Sequence, residues 1–201
     1  MRISPLNRIL LLCTCLLAAY QVVAGIDGLE SIPTIAYTVG FGILLVACLL
    51  IIILGYDILD SPVVVIVSTI IPLSLSLGVV WEHVEELRIP YLVFTILGLL
   101  AIIITRLIRI PGRVATIVLA LVHGIAGMVL FLLPTILAAQ GAVNPGFALV
   151  GLGGALIGLT GLLLSFMKTG KPIVSREIIL SILPGILLLM TLSFVLGFAL
   201  A

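Results

Sequence analysis

One imidazole stands alone in an apolar run. His123 lies between Val122 and Gly124, and the nearest charged residues along the chain are Arg113 and Lys168. A titratable group inside hydrocarbon is costly, and it marks a ligand site, an ion path or a hydrogen bond between helices. Counted from Pro111 at about 1.5 Å per residue, His123 stands roughly 18 Å into its run, near the middle of a bilayer. A bis-histidine haem would need a second histidine at that depth, and His83 lies at the far end of another run. The sequence implies no cofactor and no metal site.

Hydroxyls and prolines supply further polar atoms at similar depth. Ser68, Thr69, Ser74 and Ser76 surround Pro72. Proline has no N–H, so Pro72 frees the carbonyl of Ser68 and Pro184 frees that of Leu180. Pro72, His123 and Pro184 stand ten, twelve and twelve residues beyond Pro62, Pro111 and Pro172. If their helices adjoin, Ser68, Pro72, Ser76, His123, Ser181 and Pro184 form a polar midplane site between the third, fifth and seventh helices. Ordinary kinks packed against neighbours are the alternative.

Acidic and basic residues gather elsewhere. Glu82, Glu85 and Glu86 have the spacing of one helix face, and Asp27 and Glu30 lie on the same side of the membrane. Such oxygens concentrate cations, or else form a solvated helix end anchored by Trp81. Arg106, Arg109 and Arg113 suit the head groups of anionic lipids. Gly151, Gly154, Gly158 and Gly161 form a strip of small residues that lets another helix approach closely, from this chain or from another.

Seven apolar stretches carry these residues, at about 9–25, 34–54, 63–81, 91–110, 114–138, 147–167 and 178–200. Pro5, Pro33, Pro62, Pro90, Pro111, Pro145 and Pro172 each lie just before one of them, where a missing N–H costs little. The expected fold is one all-α, polytopic transmembrane bundle. Hydrophobic residues make up 63% of the 201 and charged residues 8%, which excludes a soluble globule and a disordered chain. Nine basic residues against eight acidic ones exclude a nucleic-acid footprint.

Arg2, Arg8, Arg106, Arg109, Arg113, Lys168, Lys171 and Arg176 all fall on one side, and Arg88 alone on the other. The positive-inside rule then places the N-terminus in the cytoplasm and the C-terminus outside. The first stretch also resembles a signal peptide ending at Val22-Val23-Ala24, whose cleavage would leave six spans. Cys13, Cys15 and Cys48 lie within spans and have no disulfide or zinc spacing. Spans two–three, four–five and six–seven read as three parallel hairpins, a weak internal repeat.

Catalytic chemistry finds little support. There is no charge in mid-span, no Cys-x-x-Cys, no His-Glu-x-x-His and no lysine in the last span for a retinal Schiff base. Two expectations follow for a multi-pass protein of the cell membrane. The first is a non-catalytic accessory or assembly subunit that acts through helix packing. The second is a small permease or channel for a cation or small solute. The partners expected are membrane lipids, together with other membrane subunits or a second copy.

Overall fold

The computed structural model describes residues 3–108, 114–168 and 174–201. Arg2, Arg109, Pro111, Arg113, Lys171 and Pro172 lie outside the described residues. Seven long helices are present: α1 (Pro5–Ala24), α2 (Ser31–Leu54), α3 (Pro62–His83), α4 (Arg88–Leu107), α5 (Val114–Ala139), α6 (Ala148–Lys168) and α7 (Arg176–Ala199). Each is long and apolar enough to cross a membrane, and no strand occurs among the described residues. The chain is a multi-pass membrane protein by this measure.

Local chemistry sets the ends. Ser4 caps α1 by accepting a hydrogen bond from Asn7 N at 3.2 Å, and Pro5 occupies the first helical position. The first span therefore starts four residues earlier than its hydropathy indicates. Gly55 ends α2 at φ 81°, a conformation open mainly to glycine, and its N–H closes on Ile51 O. The chain then makes a short 3₁₀ turn, Tyr56–Asp60, before Pro62 opens α3. Asn7 Nδ2 donates to Tyr56 Oη at 3.1 Å, which ties the start of α1 to this turn. Burial raises the Tyr56 phenol above its ordinary pKa, although the bond to Asn7 opposes the shift. Arg176 closes the same end with a bidentate pair to Asp60, Nη2–Oδ2 2.8 Å.

Neighbour order defines the architecture. α1 packs on α2, α2 on α3, α3 on α5, α5 on α6, α6 on α7, and α7 back on α1. Six helices thus close a ring, and α4 lies outside it against α3 and α5. Successive helices reverse direction, so α3–α5 and α7–α1 are the parallel neighbours. The halves α1–α2–α3 and α5–α6–α7 have the same internal order and the same contacts to each other. That is the pattern of parallel repeats about an axis along the membrane normal.

Towards the end that carries Glu82, the ring is filled by aromatics. Tyr37, Phe41, Phe147, Phe194 and Phe198 are buried. Tyr37 and Phe198 have ring centroids 4.6 Å apart, and Phe41 meets Phe194 edge-on at 6.4 Å. Offset and edge contacts of this kind are favourable beyond the area they bury. The other half is packed by buried residues such as Ile51, Tyr56 and Leu183, but less completely.

Candidate functional site

A crevice of about 170 Å³ occupies the half of the ring nearer the Arg176 end. Its wall comes from five helices, including Leu44 and Cys48 of α2, Ser68 and Ile71 of α3, His123 of α5, Thr160 and Gly161 of α6, and Leu187 of α7. Leu59, from the 3₁₀ turn, also contributes. By helix counting, Pro72, His123 and Pro184 lie about 15, 14 and 12 Å from the starts of their helices. These positions place them at a common depth.

Glycine makes the seat for the imidazole. A Cβ at Gly161 would collide with Nε2 and Cδ2 of His123, so only a residue without a side chain lets the ring lie against α6. Nε2 is buried there with no hydrogen-bond partner, and the Ile157 backbone lies within hydrogen-bonding reach of the ring. Two hydroxyls share the wall. Ser68 Oγ donates to Val65 O at 3.1 Å, and Thr160 Oγ1 donates to Leu156 O at 2.8 Å. Serine and threonine in a helix commonly bond back to the preceding turn in this way.

The structure brings together only part of the expected midplane set. Ser68 and His123 meet in the crevice. Pro72 and Pro184 are buried but do not line it. Ser76 turns towards α4, where it donates to Pro72 O at 2.6 Å and accepts from Tyr91 Oη at 2.9 Å. Ser181 lies on the exposed outer face of α7. The reason is topological: α7 packs on α6 and α1, so its residues reach the crevice across the ring, through Leu183, Leu187 and Met190.

The five acids divide in the same way. Glu30 Oε2 accepts from Trp81 Nε1 at 3.0 Å and Glu30 Oε1 faces Arg88 Nη2 at 3.6 Å, while Arg88 lies over the Trp81 ring. Glu82 Oε2 accepts from the buried Tyr37 Oη at 3.3 Å, with His83 Nε2 3.9 Å away. Asp27, Glu85 and Glu86 are exposed. Among the described residues no three His, Cys, Asp or Glu side chains gather as a metal site. Of the three arginines, Arg106 alone is described, and its Nη2 donates to Ala115 O in the first turn of α5 at 3.4 Å.

The glycine strip belongs to this chain's own packing. A Cβ at Gly154 would enter the backbone of Leu130, 2.5 Å from its carbonyl carbon, and one at Gly151 would meet Thr135 and the carbonyl of Phe131. Gly158 lies across from Gly127, Cα to ideal Cβ 3.5 Å. α5 therefore covers the strip. Thr160 and Cys48 were not distinguishable from the sequence as crevice residues, because one hydroxyl and one thiol in apolar runs carry no signal of the face they occupy. The position of Thr160 beside Gly161 in the glycine-rich span was the one available hint. Comparison of the chain with protein-family models, curated proteins and solved structures finds no match.

Proposed function

We propose that this chain is a non-catalytic, multi-pass protein of a cell membrane that binds a small solute inside its helix ring and carries or senses it. The observation that supports the reading is the partly open crevice of about 170 Å³ walled by five helices, with an imidazole in its wall. Pockets between the helices of a bundle are common ligand sites, and a void of this size left empty forfeits packing. Among the expected functions, a solute carrier fits this wall better than a cation path, since no Asp or Glu is among the described residues that line the crevice. The accessory-subunit reading would need a docking surface other than the glycine strip, because α5 occupies it. Membrane lipids are the expected surroundings, and other subunits or a second copy are the proposed partners of the lipid-facing helices.

Ala47 lines the crevice, and a phenyl group there would fill it. Native mass spectrometry of gently solubilised wild-type protein and Ala47→Phe checks the proposal. The expected result is a small-molecule or lipid adduct on the wild type that the variant loses while it stays folded. Wild-type protein free of any adduct, or an adduct retained unchanged by Ala47→Phe, would overturn it.

A further inference from the structure

No Asp, Glu, Lys or Arg is among the described residues that line the crevice. An ion entering it would give up hydration with no opposite charge to compensate. The volume, about 170 Å³, is close to that of an engineered apolar cavity of about 150 Å³ that stays dry and binds benzene. The body of a fitting ligand is therefore apolar and benzene-sized, or is the end of a longer molecule of that width.

The hydroxyl oxygens and the unpartnered ring nitrogen of the wall share one character. Ser68 Oγ and Thr160 Oγ1 have spent their hydrogens on Val65 O and Leu156 O, so towards the crevice each is an acceptor. A neutral imidazole adds one acceptor nitrogen. His123 Nε2 has no partner where it lies against Gly161, and His123 and Gly161 both line the crevice. An orphaned polar atom in hydrocarbon gains by any such partner.

Resting on the ligand-binding reading above, we infer that the crevice takes a neutral molecule with an apolar body and one hydroxyl or N–H head, and that His123 accepts the hydrogen bond from that head. A phenol-like or alcohol-like compound has this chemistry.

The test uses 4-fluorophenol and 4-fluorotoluene, which have the same shape with a methyl group in place of the hydroxyl. Binding to the protein in lipid nanodiscs is followed by fluorine NMR and corrected for partition into empty nanodiscs. Wild-type protein should prefer the phenol by about two- to tenfold, the effect of one hydrogen bond. His123→Leu should abolish that preference without weakening fluorotoluene, and His123→Gln, which keeps an acceptor, should restore part of it. Ala47→Phe should exclude both probes. An equal preference in wild type and His123→Leu would overturn the role of His123 and leave the crevice reading intact. Stronger binding of 4-fluorobenzoate than of the phenol would overturn the neutral class. Failure of wild type to bind either probe, or indifference to Ala47→Phe, would overturn the crevice reading as well.

Discussion

Ser68 and Ser76 sit on one helix, eight residues apart, and have different neighbours. Ser68 bonds within its own turn and faces the crevice. Ser76 is fully buried and is held by Tyr91 of α4. The two serines should therefore separate stability from ligand binding. Tyr91→Phe leaves Ser76 without its donor and should cost about 1 kcal/mol, between the average of roughly 0.6 and the maximum of roughly 1.7 measured for hydrogen bonds between membrane helices. Unfolding in mixed micelles measures that cost, and binding of 4-fluorophenol should stay unchanged. An altered affinity would mean that the α4 contact shapes the crevice. At this scale the sequence identified the chemistry better than the geometry. His123 and Ser68 were legible because a histidine and a serine-rich turn stand out from Leu, Ile and Val. Ser181 looked equally suitable, yet a single hydroxyl at the right depth does not reveal whether it faces the ring or the lipid.

α6 shows what small residues do for an element. Gly151, Gly154 and Gly161 face α5, and Gly153 faces the ring of Phe194 on α7, whose Cδ1 lies 2.7 Å from an ideal Cβ. Two helices thus approach α6 from different sides, each through glycine. Gly154 and Gly158 look alike in the sequence, but their surroundings differ. A methyl group at Gly154 would collide with the Leu130 backbone, whereas at Gly158 it would meet nothing within 4 Å. Gly154→Ala should destabilise by about 1–3 kcal/mol, the usual cost of overpacking. Gly158→Ala should be neutral or stabilising by up to about 1 kcal/mol, because alanine restricts the unfolded backbone. Thermal unfolding in detergent gives both signs. Equal losses at both positions would mean that α5 and α6 approach more evenly than this geometry describes. Span lengths were legible because hydrocarbon thickness sets them and proline and glycine punctuate them. The face each helix turns inward was not. Lipid is as apolar as a packed interior, so hydrophobic periodicity, which orients a helix in a soluble protein, has little to report here.

The whole molecule combines a packed half and an open half. The aromatic cluster seals the ring towards Glu82, and the crevice lies towards Arg176. Which compartment each half faces depends on orientation, and the charges supply that argument. By their order along the sequence, eight of the nine basic residues flank the spans on one side, and translocation of short basic loops is disfavoured. We propose from this rule that the crevice belongs to the cytoplasmic half of the bundle and the aromatic seal to the outer half, so that a ligand would enter from the cytoplasm or the inner leaflet. Site-directed labelling decides this. In a background with Cys13, Cys15 and Cys48 replaced by alanine, a cysteine at Ala142, exposed between α5 and α6, should react in whole cells with a membrane-impermeant maleimide. A cysteine at Gly170, between Lys168 and Arg176 in the sequence, should react only after the cells are opened. The reverse pattern would invert the molecule. The crevice would then face outward, and Arg106 and the Asp60–Arg176 pair would lie on the outer surface, against the charge rule.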